Sequence, residues 1–257
     1  IRVIDDRATR NMTTFEGRRL LQGAPGSTVS LVVIRGSATE PHVVDLVREH
    51  STGPDVTSRI TAPGIGYIRI LEFSASAVAG LAQAVTTLEK AGATRFVIDL
   101  RGTARGQLEQ GVAAARLFVK TGILSVRQGK GDERETVRAA DSEGNVTAPV
   151  VLLTNPGTSG AAEVFAAALD PNDRATRIGQ RTLGRAARQR LVPLPDGSGL
   201  WLSYERYLTP TGEPLHQQGL TPDVEVEVPV TEFGAAPPPG DPAMDKAIEQ
   251  LTDKKAA

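Results

Sequence analysis

The chain has 257 residues, 40% of them hydrophobic, and carries 29 basic against 30 acidic side chains for a formal net charge of -1. That size suits one large domain, or one domain with a smaller attachment, and the balanced charge with only 4% aromatic residues offers no electrostatic footprint for nucleic acid. The absence of cysteine excludes disulfides, thiolate metal sites and a cysteine nucleophile.

Taken in chain order, Ile1, Val3 and Ile4 open a short strand, and "TTFEGRRLLQG" follows as a helix with Thr13 or Thr14 as its cap. "APGS" then turns into "TVSLVVIRG", a β-branched strand. "GIGYIRILEF" is a strand, and Leu81, Val85 and Leu88 share the face of the helix after it. "RFVIDLRG" is a fully apolar strand, and Leu108, Val112, Ala115 and Val119 mark a second amphipathic helix. "PVVLLT", followed by a helix from Gly160 to Leu169, repeats the unit. Strands that alternate with helices in this way predict right-handed crossovers and a largely parallel, buried sheet. "RLVPL" and "GLWLSYERYLTP", separated by "PDGSG", predict an antiparallel hairpin at one side. The Pro-rich stretch 235–242 reads as a stiff linker before a helix with Met244, Ala247, Ile248 and Leu251 on one face.

His42, His50 and His216 are far apart and lack a metal-ligand spacing, so each reads as a surface or packing residue and neither metal nor cofactor is expected. No apolar run approaches the roughly 20 residues of a membrane span. Because the chain begins at Ile1 without a Met, targeting elements upstream remain open. The turn "NPGTSGAAEVF" follows an apolar strand and opens a helix, a place where a hydroxyl can act as nucleophile or simply cap the helix. On these residues alone Ser159 fits either role.

Ordered motifs narrow the choice. Asp5, Met12, Thr13, Glu16, Leu20, Leu21, Gly23, Pro25, Gly26, Val29 and Arg35 fall into a run that resembles the second half of the PDZ domain of C-terminal processing peptidases, also called tail-specific proteases. "IGYIRI", "DLRGTARG", "GTSGAAE", "RATRIGQRTLGRAARQ", "PLPDGSGLWLSYERYLTPTGEPLHQQGLTPDV" and "DPAMDKAIEQL" continue the resemblance over nearly the whole chain. It implies an α/β fold, a crotonase-like ββα spiral as peptidase core with a partial PDZ segment at the N-terminus. The implied division is a half-PDZ at 1–36, a connecting segment at 37–63, the core at 64–230, and a Pro-rich linker with a C-terminal helix at 231–257.

In that family a Ser attacks the peptide carbonyl, a neutral Lys is the general base and backbone amides hold the oxyanion. Aligning on Glu163 puts the nucleophile position at Gly160 and the base position at Arg185, with Gln189 at the residue that supports the Lys. Both side chains of the dyad are replaced, and Arg, which stays protonated, cannot serve as a base. The family's "NPGG" oxyanion loop reads "TARG" here, which brings bulky Arg105 beside Gly106, with Ala161 supplying an amide from the helix side. These departures predict an inactive homologue, a pseudoprotease kept as a peptide-binding or assembly subunit. The alternatives are an active serine endopeptidase with a displaced nucleophile at Ser159, and a purely structural partner in a larger complex. Ser159 is expected as a turn or cap residue. Peptide or protein C-termini are the expected ligands, and the setting implied is extracytoplasmic in bacteria, periplasmic or membrane-associated.

Overall fold

The structure, a computed structural model, describes residues 1–35, 40–49, 53–195, 198–227 and 239–253. The chain divides into two compact units, Ile1–Gly53 with Val228–Gly240, and Pro54–Glu227 with Asp241–Ala257.

In the first unit β1 (Val3–Ile4), β2 (Arg7–Ala8), β3 (Thr28–Val33) and β4 (His42–Val47) form an antiparallel sheet in the order β2-β1-β3-β4. The helix α1 (Thr14–Leu21) is capped by Thr13, whose side chain accepts from the Glu16 amide while the Glu16 carboxylate accepts from the Thr13 amide. This reciprocal box satisfies two orphan donors of the first turn. The small core consists of Ile4, Val29 and Leu31, with Met12, Leu20 and Val33 against it.

The second unit is built on a six-stranded sheet. Its strands are β5 (Val56–Ala62), β6 (Ile65–Ile70), β8 (Arg95–Asp99), β12 (Val150–Thr154), β13 (Ala175–Gly179) and β16 (Val224–Glu225), in the order β16-β13-β12-β8-β6-β5. All neighbours are parallel except the edge pair β5 and β6. Crossovers run through α2 (Ala75–Lys90), α3 (Leu108–Ala115) and α4 (Ala161–Leu169). The period of two along each strand assigns alternate residues to opposite faces. Ile68, Ile70, Phe96, Ile98, Val150 and Leu152 pack with these three helices. Ile65, Tyr67, Val97, Val151, Leu153 and Ile178 pack with α5 (Pro242–Asp253) through Ala243, Met244, Ala247 and Leu251.

Two smaller sheets complete the unit. The short strands β7 (Glu72–Phe73) and β9 (Arg105–Gly106) pair in parallel. Strands β10 (Ile123–Gln128), β11 (Arg134–Arg138), β14 (Ala187–Pro193) and β15 (Gly199–Leu208) make an antiparallel sheet in the order β11-β10-β15-β14.

The largely parallel sheet, the hairpin β14–β15 and the core faces of α2 and α5 agree with the sequence reading. Two segments differ. Residues 37–63, read as a connector, supply β4 to the first unit and β5 to the second. Helix α3 ends at Ala115, and buried Val119 is reached through tight turns closed by Leu117 N–H to Ala114 and Phe118 N–H to Ala115. Val119 N–H also donates to the Ala115 carbonyl at 3.0 Å, an i→i−4 bond that carries the apolar face one turn beyond the helix. His50 and residues 235–238 of the Pro-rich stretch lie outside the described residues.

Candidate active site

Two loops leave the C-terminal ends of neighbouring parallel strands, one after β8 and one after β12, which is where open α/β sheets place their ligands. The first loop is shaped by Arg69, whose guanidinium donates to the carbonyls of Ile70, Asp99 and Arg101 and to Thr103 Oγ1 at 2.8 Å. Thr103 is fully buried, and its hydroxyl donates to the Ile70 carbonyl. The second loop is stitched to the first: Thr158 Oγ1 donates to the Leu100 carbonyl at 2.8 Å and the Ser159 amide to the Thr103 carbonyl at 2.9 Å. Asn155 Oδ1 accepts from both Gly102 N and Gly157 N at 2.9 Å, one acceptor shared between the loops.

Gly160 is the N-cap of α4, with φ 66° and ψ -120°. This is a sharp entry that only glycine adopts without strain. A Cβ placed there would meet nothing nearer than Leu108 Cδ2 at 4.0 Å, so the space above the helix start is open. The orphan amides of the first turn, Ala161's among them, have no partner within the helix and form a donor-rich end.

Glu163 holds the site together. It is wholly buried on the first turn of α4. Its Oε2 accepts from Gly160 N at 2.9 Å and Arg185 N at 2.7 Å, and its Oε1 from Gly184 N at 2.6 Å and Thr182 Oγ1 at 2.5 Å. The two positions aligned with the family dyad therefore share one carboxylate oxygen through their backbone amides. A third segment joins them, because Gln217 N donates to the Gly184 carbonyl and Leu220 N to Thr182 Oγ1, both at 2.8 Å. Leu183 N donates in turn to the Thr158 carbonyl at 3.0 Å.

Of the residues singled out in the sequence, Gly160, Arg185, Ser159 and Ala161 thus come together. The Arg185 guanidinium is exposed and has no hydrogen-bond or ion-pair partner among the described residues. Ser159 is 2% exposed, but its hydroxyl caps nothing: α4 has no side-chain cap, and the hydroxyl has no partner among the described residues. The cap half of the expectation for Ser159 therefore fails, since its neighbour Gly160 takes the cap position and Glu163 satisfies that amide. Gln189 lies apart, exposed on β14, with its amide nitrogen donating across the hairpin to Ser203 Oγ at 3.1 Å.

Arg105 does not act on the oxyanion loop as its bulk suggests. Its side chain is 68% exposed and pairs with Glu72 at 3.0 Å, outside the turn. The left-handed positions of this loop fall on glycines, Gly102 at φ 70° and Gly106 at φ 122°. Gly106 lies so close to β7 that a Cβ would come within 2.3 Å of the Phe73 carbonyl oxygen. The "TARG" loop keeps its glycines where the backbone needs them and directs its one cation away.

His216, read in the sequence as a surface or packing residue, is partly buried beside this network. Its backbone precedes Gln217, which is bonded to Gly184, and its ring feels the charges of Glu163 and Arg185. Burial, then the positive charges of Arg206 and Arg185, lower its pKa from the ordinary value of 6.5, against an opposing pull from Glu163. Its Nδ1 is buried without a partner. No periodicity or spacing marks the loop that carries it, because the bond from Gln217 N to the Gly184 carbonyl joins segments some 30 residues apart in the chain.

Residues 64–226 match Peptidase family S41. The chain is 32% identical over 256 residues to the carboxyl-terminal-processing protease of Synechocystis sp., covering 98% of this chain and 60% of that protein. It is 34% identical over 230 residues to the carboxy-terminal processing protease CtpA of Bacillus subtilis, covering 88% of this chain and 48% of that one. Among solved structures it resembles the photosystem II D1 C-terminal processing protease with a TM-score of 0.78 at 32% identity, covering 88% of this chain and 62% of that chain. The chain therefore spans about half to three fifths of the length of these relatives. The expectation of an inactive homologue is overturned by them, since each is named as a processing protease. Matched over most of its second unit and 32% identical to a processing protease along 98% of its length, the chain belongs to peptidase family S41.

Proposed function

We propose that this chain is the working part of a carboxyl-terminal processing peptidase, which takes the C-terminal segment of a polypeptide and hydrolyses a backbone amide at the start of α4. The observation that carries the reading is the likeness to named processing proteases along 98% of the chain. In this reading the second unit is the crotonase-like core and the first is the second half of a PDZ domain. The attacking group is the unbonded Ser159 hydroxyl, the amides at the start of α4 receive the developing oxyanion, and the Arg185 guanidinium holds the terminal carboxylate of the bound chain. An extracytoplasmic location follows the same reading, in keeping with relatives that include chloroplastic and bacterial processing enzymes.

The test is a pair of peptides of one sequence, one with a free C-terminus and one amidated, incubated with the protein and with Arg185→Ala and followed by mass spectrometry. Cleavage of the free form with at least tenfold preference over its amidated twin, reduced to near parity in Arg185→Ala, is expected. No cleavage of either peptide refutes the peptidase reading, and equal cleavage of the two refutes the role of Arg185.

A further inference from the structure

We infer that Leu108 decides which residues this site accepts beside the scissile bond, and that it selects chains with alanine, or a residue no larger, at that bond. The inference rests on the peptidase reading and deepens it. The space above the start of α4 is open because position 160 carries no side chain, and among the described residues the one group within 4 Å of a Cβ built there is Leu108 Cδ2, at 4.0 Å. That is ordinary van der Waals contact. The gap between the Gly160 backbone and Leu108 is therefore one methyl group deep. A chain whose carbonyl faces the amides at the start of α4 brings the neighbouring side chain to this gap. Alanine fills it, and leucine or phenylalanine overfills it.

Leu108 has little freedom to retreat. It is buried and belongs to the main core, together with Phe73, Val112 and Ala161. It opens α3 directly after Gly106 and Gln107, and the Gln107 amide donates to the Phe73 carbonyl at 3.1 Å. Three residues on, α3 lies so close to α4 that a Cβ at Gly111 would come within 2.2 Å of the Ala161 carbonyl oxygen. Next to Leu108, Glu109 ties the helix to the hairpin, its carboxylate accepting from the Arg188 guanidinium on β14 and from the Tyr207 hydroxyl on β15 at 3.1 Å. These contacts fix the depth of the gap. A larger substrate side chain has to displace packed atoms, which well-filled interiors resist.

The experiment gives wild type, Leu108→Ala and Leu108→Met a set of free-C-terminus peptides in which each position is varied in turn among Gly, Ala, Leu and Phe. Mass spectrometry reads the cut, and thermal melting confirms folding. At one of the two positions flanking the cut, wild type should favour Ala over Leu and Phe by about tenfold or more in kcat/KM, the scale on which an apolar pocket discriminates by size. Leu108→Ala deepens the gap and should bring that ratio down to about threefold or less. Leu108→Met, of nearly equal volume, should keep it. Where Leu108→Ala does not fold, Leu108→Val replaces it and should lower the ratio in the same direction. If wild type cleaves without a preference at either flanking position, if enlarging the gap leaves the ratio unchanged, or if Leu108→Met loses it equally, then Leu108 is not the limiting wall while the peptidase reading stands. If wild type cleaves nothing, that reading has failed, and fluorescence anisotropy with the same peptides decides Leu108 separately. A preference for Ala at one position that weakens in Leu108→Ala keeps the residue in a peptide site; no binding, or an unchanged preference, removes it.

Discussion

Two helices of this chain begin with the same device and use it differently. In α1 the Thr13–Glu16 box is closed within four residues, exposed to solvent, and serves only its own first turn. In α4 the corresponding glutamate, Glu163, accepts from the Gly160 amide in the same way but spends its remaining acceptor capacity on Thr182, Gly184 and Arg185, 19 to 22 residues away. One carboxylate closes a helix end, and the other closes a site. The difference is burial: a solvated cap competes with water and stabilises modestly, whereas a buried carboxylate with four donors cannot lose them without leaving each one unsatisfied.

The comparison can be broken most forcefully at Glu163. Glu163→Ala should cost at least about 4 kcal/mol, the scale for removing one side of a buried charge network, and lower the melting temperature by about 10 °C. A drop of only one or two degrees in calorimetry would reduce Glu163 to an ordinary cap.

The glycines near the two helix starts give a smaller and opposite pair of effects. Gly160→Ala should destabilise by about 2 kcal/mol, because φ 66° with ψ -120° is strained for any side chain even though the space is open. Gly17→Ala, inside α1 with only Met12 Sδ at 3.6 Å and Ile4 Cδ1 at 3.9 Å near the new methyl, should stabilise by about 0.5–1 kcal/mol. Equal signs in denaturant melts of the two variants would contradict the contrast.

The smallest effect is a pH dependence at α1. Hydrogen bonds from the Thr13 amide and then from its hydroxyl, with lesser help from Arg7 and Arg19 against a slight burial effect, hold the Glu16 carboxyl below its usual value of 4.5. A depressed folded-state pKa stabilises above the unfolded value and loses that contribution as the pH falls through the folded one. Amide exchange at the start of α1 should therefore accelerate below about pH 4.5, and Glu16→Gln should remove that acceleration.

The same contrast shows how much the sequence reveals. Thr13 can be read as a cap because its partner is three residues away, and the faces of α2 and α5 can be read because burial imposes a period. The family alignment carries Gly160 and Arg185 to one place, and the structure agrees through Glu163 Oε2. What the sequence leaves hidden is every partnership made across loops: the shared Asn155 acceptor, the Arg69 cradle, the turning of Arg105 toward Glu72, and the bond from Gln217 to Gly184. No local propensity encodes these, because they arise only once the parallel sheet has brought its loop ends together.

The C-terminal helix carries a consequence for anyone dividing this chain into fragments. Arg101 binds Asp99 and Asp241 together, with Arg101 Nη2 at 2.7 Å from Asp99 and 2.8 Å from Asp241, so the first turn of α5 is riveted to the end of β8. Asp241 also caps that turn through the Met244 amide. A fragment trimmed before Asp241 would lose the rivet, and with it the cover over Ile65, Tyr67, Val97, Val151, Leu153 and Ile178. That wall of apolar side chains would face water and favour self-association. For expression and crystallisation alike, the last helix is the lid of the core and has to travel with it.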